Sequence, residues 1–91
     1  MITNTEYNLL YSFEKDKPII SVVLTNYNYS AFIQETLESI KNQTFEEIEL
    51  IIVDDKSTDN SVDIINAWLR NNYKRFAGIK FIQHKTNFGP T

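Results

Sequence analysis

The chain has 91 residues, a net charge of −3 and no cysteine. Its length limits it to one domain or part of one, which can bury somewhat more than ~60% of the unfolded surface. Lys and Arg are scattered, which argues against a nucleic-acid partner, and the absence of cysteine excludes disulfides and thiolate metal sites. No apolar run approaches the ~18 residues of a membrane span, so we expect a cytoplasmic protein without a transmembrane segment.

Residues 1–17 form a polar and aromatic lead-in that ends before Pro18. Leu9, Leu10 and Phe13 are spaced so that they could share one face of a short helix. We therefore expect a lead-in over residues 1–17, possibly with a short helix, and a domain over residues 18–91.

Three β-branched, apolar segments predict strands, at residues 19–25, 48–54 and 79–84. Apolar residues at helical spacing predict a helix over 31–42 and a second helix that follows residue 58. Ser30 is the expected N-cap of the first helix, and Ser57 or Thr58 that of the second.

The order β-α-β-α-β predicts an α/β fold with an open parallel sheet. The strands carry apolar residues at both alternating sets of positions, such as Val22 and Val23, so both faces of the sheet expect cover. Right-handed crossovers that progress in one direction place both helices on the same face. The other face and the edge of the first predicted strand are then left uncovered, as in one half of a larger fold.

The loops that follow the first two predicted strands, TNYN and DDKSTD, open at the same end of the sheet, where ligands of open α/β sheets bind. A carboxylate of Asp54 or Asp55 could accept N–H groups there or bind a divalent cation. Alternatively, one aspartate satisfies loop amides and the other is solvated. The ring of Tyr27 could stack on a base, worth ~1–3 kcal/mol, or simply pack.

His84 is the only histidine, and without a nucleophilic Ser or Cys constellation it does not predict a catalytic triad. We assign it an ordinary role at a strand end. Asn87 and Gly89 are expected to shape a turn. The chain has neither GxGxxG nor GxxxxGK[ST], which weakens dinucleotide and nucleoside-triphosphate hypotheses.

Taken together, ISVVLTNYN, LESIKNQTFEEIELIIVDDKSTDNS and NFG resemble the start of the family 2 glycosyltransferases. The resemblance implies the nucleotide-binding half of a GT-A (Rossmann-like) fold, a nucleotide-diphospho-sugar donor and, in the full-length enzyme, a manganese or magnesium ion. By position it implies that Thr25 and Tyr27 border the base and that Asp55 accepts a hydrogen bond from a uracil-type N–H. Asp54 would support the loop or contact the nucleoside. A UDP-sugar is the favoured donor.

The sequence departs from the family pattern in two respects. The first loop reads Thr-Asn-Tyr-Asn where Pro-Thr-Tyr-Asn is common, and the later Asp-x-Asp motif and acidic catalytic base of inverting members have no counterpart. Since transfer needs a base for the acceptor and a metal for the leaving diphosphate, we expect a truncated, inactive piece with no catalytic or metal-binding residue of its own.

Two other functions are alternatives to a glycosyltransferase. A signalling receiver domain also carries an acidic pair at a strand end, but it places that pair on its first strand and needs a later aspartate and lysine. A non-catalytic interaction module would use the uncovered sheet face or edge to form a homo-oligomer.

Overall fold

The computed structural model describes residues 7–15, 17–18 and 20–85. Its elements in chain order are β1 (Tyr7–Glu14), β2 (Ile20–Asn26), α1 (Ile33–Lys41), β3 (Ile48–Asp54), α2 (Ser61–Asn72), a short 3-10 turn (Tyr73–Arg75) and β4 (Gly78–His84).

The four strands form one sheet in the order β1-β4-β3-β2. Strands β2, β3 and β4 are parallel neighbours, whereas β1 pairs with β4 in the antiparallel direction. The three predicted strands and two predicted helices are therefore confirmed, and so is the α/β class. Among the described residues β2 forms one edge of the sheet, as expected for the first predicted strand.

The prediction of a short helix in the lead-in is wrong, because residues 7–14 form the edge strand β1. Pairing with β4 places Phe13 opposite Ile79 and Leu9 opposite Ile82, and a register irregularity lies between Leu9 and Tyr11. The ladder with β4 and the packing of Phe13 on the core outweigh a helical spacing that only three residues supported. Residues 1–6 lie outside the described part of the chain.

Both helices pack on one face of the sheet, which we call the covered face. Leu50 and Ile52 of β3 and Phe81 of β4 point into it and have no exposed surface. They pack with Leu37 of α1 and Leu69 of α2, which are equally buried. Apolar burial contributes roughly 25 cal/mol per Å², so this layer supplies the main stabilisation.

The opposite face of the sheet, here the open face, carries no helix among the described residues. Val23 is 62% exposed and Leu9 is 59% exposed, while Ile51, Val53 and Ile82 between them are half-buried. Strand β1 thus lengthens the sheet beside β4 and does not cover this face. No helix within the described ranges is long and apolar enough to cross a membrane.

Neither predicted N-cap is observed, because Phe32 and Asn60 occupy the cap positions. Helix α1 begins at Ile33 and α2 at Ser61, each without a side-chain cap. The amide of Ser30 donates to Asp59, and the Ser57 hydroxyl donates to Asp54. The Ser30 contact joins two loops that lie far apart in the sequence, whereas the Ser57 contact lies within one loop.

Arg75 holds the connection between α1 and β3. Its guanidinium donates to the carbonyl oxygens of Lys41 at 2.7 Å, Gln43 at 3.0 Å and Glu46 at 3.2 Å, and also to that of Phe45. A planar, permanently charged donor fork suits the unpaired carbonyls and negative dipole end of a helix C-terminus. This contact fixes how β3 enters the sheet.

Candidate functional site

The last covered-face position of each parallel strand holds a polar residue. These residues are Asn26 of β2, Asp54 of β3 and Gln83 of β4, and they lie side by side across the sheet. Apolar residues fill the preceding positions of each series, such as Leu24 before Asn26. The buried core therefore ends in a polar layer at the carboxyl ends of the strands, where the loops to α1 and α2 begin.

Asp54 is the centre of this layer and is fully buried. Its Oδ1 accepts from the Asn26 amide at 2.7 Å and from the Ser57 hydroxyl at 2.6 Å. Its Oδ2 accepts from the Ser57 backbone N–H at 2.8 Å and from the Gln83 amide at 2.9 Å. Four donors satisfy the carboxylate, which offsets the cost of its burial. The observed contacts of Asp54 are those of a residue that supports the loop.

Asn26 links this layer to α2. Besides Asp54, its side-chain N–H group reaches the hydroxyl of Ser61, the first residue of α2, at 3.0 Å. The side-chain oxygen Oδ1 of Asn26 is buried and has no hydrogen-bond partner among the described residues. The amide is thus oriented by its donor side, toward the carboxylate and the helix start.

Asn28 and Asp59 join the two loops. Asn28 adopts a positive φ of 54°, which Asn tolerates better than most residues, and its Oδ1 accepts from the N–H groups of Thr58 at 2.8 Å and Asp59 at 3.2 Å. Asp59 in turn accepts from the N–H of Ser30 at 3.0 Å and of Ser61 at 2.9 Å. The loops after β2 and β3 are therefore one hydrogen-bonded unit.

The pKa of Asp59 reflects these contacts. Burial acts to raise it, but hydrogen bonds from the Ser61 hydroxyl and amide and from Ser30 outweigh burial and lower the pKa from 3.8 to about 2. The charged form of Asp59 is the form that holds the two loops together.

Asp55, the neighbour of Asp54, lies toward the open face. Its backbone N–H donates to the backbone carbonyl oxygen of Asn26 at 2.9 Å, and its Oδ1 lies 3.6 Å from Nδ1 of His84. Successive residues of an extended chain point to opposite faces, which is why the adjacent carboxylates separate. Asp55 keeps 18% of its side chain exposed, whereas Asp54 has none.

Thr25 and Tyr27 lie at the end of β2, the strand that pairs with β3, which Asp55 follows. Thr25 is exposed and pairs with Val53, one step before Asp55 on the same face, and Tyr27 is 39% exposed just past β2. The structure therefore places Thr25, Asp55 and His84 at the carboxyl end of the open face, with Tyr27 just past the end of β2 and Asp54 on the covered face. This arrangement offers a polar edge, an exposed ring and an acceptor for an N–H group.

The described residues do not fit a divalent metal. They contain no group of three or more His, Cys, Asp or Glu side chains that could hold one, and both Asp54 oxygens already accept protein hydrogen bonds. The acidic pair is divided between two faces and does not act as a chelating pair.

Sequence reasoning identified the acidic pair but missed the residues that orient it. Asn26 and Gln83 are absent from the predicted site, Ser57 is predicted only as a possible N-cap, and His84 is given only a strand-end role. The alternating pattern of β2, β3 and β4 indicated these residues, because the covered-face positions of each strand end in a polar residue. Asn87 and Gly89 lie outside the described residues, so their predicted turn stays a prediction.

The fold and the site together define an open α/β protein with a polar ligand edge at the carboxyl ends of its strands. The family model for glycosyl transferase family 2 matches residues 21–91. The chain belongs to this family, as its motifs indicated.

Individual relatives agree with this assignment. The chain is 42% identical over 72 residues to a poly(ribitol-phosphate) beta-glucosyltransferase of Bacillus spizizenii, covering 77% of this chain and 11% of that protein. It is 40% identical over 62 residues to a UDP-Glc:alpha-D-GlcNAc-diphosphoundecaprenol beta-1,3-glucosyltransferase of Escherichia coli, covering 60% of this chain and 25% of that one. This chain thus spans a quarter or less of the length of either relative.

A solved structure shares the fold. The mannosyltransferase PcManGT of Pyrobaculum calidifontis, in complex with GDP-Man and Mn²⁺, superposes with a TM-score of 0.72 at 22% sequence identity, covering 81% of this chain and 21% of that one. This confirms the expected GT-A class.

Proposed function

We propose that this chain supplies the nucleoside-binding part of a glycosyltransferase that transfers a sugar from a nucleotide-diphospho-sugar to an acceptor. The observation that carries the proposal is the separation of the two aspartates. The carboxylate of Asp54 accepts hydrogen bonds from the protein itself, while Asp55 lies on the open face, at the same end of the sheet as exposed Thr25 and Tyr27. Membership of family 2 supports this function, and nothing in the fold favours a receiver domain.

In this proposal Tyr27 stacks on the base, Thr25 borders it and Asp55 accepts a ring N–H. Asp54 holds the loop in place from behind. We favour a UDP-sugar, because a uracil-type ring presents an N–H to a carboxylate and because the name of the Escherichia coli relative includes UDP-Glc. The metal of the full-length enzyme would be held by residues other than those described.

We further propose that the chain alone does not transfer sugar, since its sequence has no Asp-x-Asp motif. Sugar transfer by the purified chain in the presence of manganese would overturn this part. The cytoplasmic location expected from the composition stays a prediction.

Calorimetric titration with UDP, with and without manganese, tests the site. We expect binding that does not require manganese and that Asp55→Ala weakens by about 10- to 150-fold, because a charge-assisted hydrogen bond contributes ~1.5–3 kcal/mol. Asp63→Ala is the matched control, since Asp63 is an exposed aspartate in the first turn of α2. Equal affinities of the two variants would contradict the proposed role of Asp55.

Exposed Val23 and Leu9 on the open face favour one second candidate, a self-associating interaction module. It predicts a mass that rises with concentration and a folded chain that does not bind UDP. A monomer that binds UDP would contradict it.

A further inference from the structure

Strands β1 and β2 form the two edges of the described sheet, and they differ in how well they are protected against a further strand. Strand β1 carries a register irregularity and ends in Glu14, and both features discourage edge pairing. Strand β2 pairs with β3 without any register shift and contains neither a charged residue nor proline. The β2 edge is therefore the one that can accept another strand.

Alternate residues of β2 direct their backbone groups away from β3. The N–H of Ile20 and the backbone carbonyl oxygen of Asn26 are hydrogen-bonded on the β3 side, at 3.2 Å and 2.9 Å. Backbone groups alternate in direction along a strand, so the odd-numbered residues of β2 face outward. These residues, all exposed, are Ser21, Val23 and Thr25. They present a row of donors and acceptors with the spacing that an antiparallel strand requires.

An apolar surface lies beside the β2 edge on the covered side. Leu24 is only half-buried there, and it lines a groove together with Phe32 and Tyr29, which are 65% and 55% exposed. Thr36 of α1 completes the groove, which carries no charged side chain. A strand added to β2 would remove this apolar surface from water as well as satisfy the backbone.

Neither end of this sequence is placed to supply that strand. Residues 1–6 precede β1, which is the opposite edge, and residues 86–91 come after β4, which is separated from the β2 edge by β3 and β2 itself. Strands lie about 4.8 Å apart, so a segment that follows β4 must cross roughly 15 Å before it can pair there. Six residues extend at most about 20 Å, which leaves too few for a ladder.

The sequence of β2 suits pairing with itself, because it is chemically symmetric about Val23. Ser21 and Thr25 carry hydroxyl groups on the open face, and Val22 and Leu24 are aliphatic on the covered face. In an antiparallel pair centred on Val23, hydroxyl residues meet hydroxyl residues and aliphatic residues meet aliphatic ones. Such cross-strand pairs are favourable, and no charge is brought against a like charge. A second copy of the chain therefore matches this edge.

We propose that the chain forms a twofold dimer in which β2 pairs antiparallel with β2 of a second copy, centred on Val23. The two four-stranded sheets become one continuous sheet. The α1 helices of the two copies run antiparallel, so the acidic first turn of each, with Glu35, lies toward the basic last turn of the other, with Lys41. The inference does not depend on the proposed nucleoside site, and its surface is the β2 edge instead of the open face.

Sedimentation equilibrium on the full chain tests the dimer. The mass of wild type should rise from that of one chain to that of two as the concentration increases. Val23→Lys and Val23→Glu should each weaken dimerisation by about 10-fold or more, because each places like charges opposite one another at the twofold axis. An equimolar mixture of the two variants should recover dimerisation, because the introduced charges are then opposite in sign.

Leu9→Lys is the matched control, because Leu9 is as exposed on the open face as Val23, at 59% and 62%, but belongs to the other edge strand. It should dimerise as wild type does, whereas Phe32→Glu, in the groove beside β2, should weaken the dimer. Each variant is first shown to unfold cooperatively. If Leu9→Lys weakens association as much as Val23→Lys does, the copies meet through the open face and the proposal is overturned.

Hydrogen exchange on wild type tests the register without any substitution. The amides of Ser21, Val23 and Thr25 should exchange about 10-fold more slowly or less in the dimer than at concentrations where the chain is monomeric, because only the partner strand bonds them. The amides of Val22 and Leu24 should be protected in both states. A chain that stays monomeric up to about 1 mM, or a dimer in which the three outward amides exchange as fast as in the monomer, overturns the proposal.

Discussion

The covered and open faces of the sheet are made by the same strands but treat polar groups in opposite ways. On the covered face Asp54 is buried and surrounded by four protein donors, whereas on the open face Asp55 is partly exposed and contacts His84. A buried carboxylate must be satisfied by donors of the protein itself, whereas a partly exposed one can also reach solvent. The two identical neighbours therefore have different surroundings, because the strand turns them to different faces.

The largest effect should come from removing the buried carboxylate. Asp54→Ala leaves the donors of Asn26, Ser57 and Gln83 without their acceptor and should lower the free energy of unfolding by about 3–5 kcal/mol. Asp55→Ala, the matched change on the open face, should cost about 1 kcal/mol or less. Urea denaturation measures both. Similar losses of unfolding free energy in the two variants would contradict the inferred difference between the two faces.

The apolar residues of the two faces should differ in the same direction. Leu50→Ala removes a fully buried side chain and should cost about 2–5 kcal/mol through lost burial and the cavity left behind. Val23→Ala on the open face should cost about 1 kcal/mol or less, since Val23 is 62% exposed. A large loss in Val23→Ala would show that the open face is covered in solution, for example by a second copy of the chain.

The smallest effect concerns the loop junction and depends on pH. Because the folded pKa of Asp59 is about 2 and the ordinary value is 3.8, its contribution is present above about pH 4 and is lost as the pH falls toward 2. The stability difference between wild type and Asp59→Asn should therefore narrow over that range in urea denaturation. Asp63→Asn controls for the loss of one charge. A stability difference between wild type and Asp59→Asn that stays constant with pH would contradict the lowered pKa of Asp59.

Much of the fold followed from local patterns. The segments around β2, β3 and β4 are apolar and β-branched, and the helix between β2 and β3 repeats its apolar residues every three or four positions. Handedness then placed both helices on one face. Strand β1 escaped prediction, because an edge strand with a register irregularity carries no clean alternation and Leu9, Leu10 and Phe13 suited a helix equally well.

The candidate site was predictable in its residues and not in their roles. Family resemblance pointed to Thr25, Tyr27, Asp54 and Asp55, and the structure places Thr25 and Asp55 on the open face and Tyr27 just past the end of β2. The family resemblance gave no indication that His84 would lie near Asp55. The two residues are far apart in the chain and meet only because β3 and β4 are neighbours.

The amino-acid sequence by itself determined the strands of the parallel sheet, the shared face of the helices and the position of an acidic pair at a strand end. These features depend on periodicity, chirality and chain direction, which act over a few residues at a time. Only the tertiary structure decided which aspartate is fully buried and which is partly exposed. That choice depends on Asn26, Ser61 and Gln83, whose contacts with one another and with Asp54 span 28 to 35 residues of chain, and no local pattern specifies such partners.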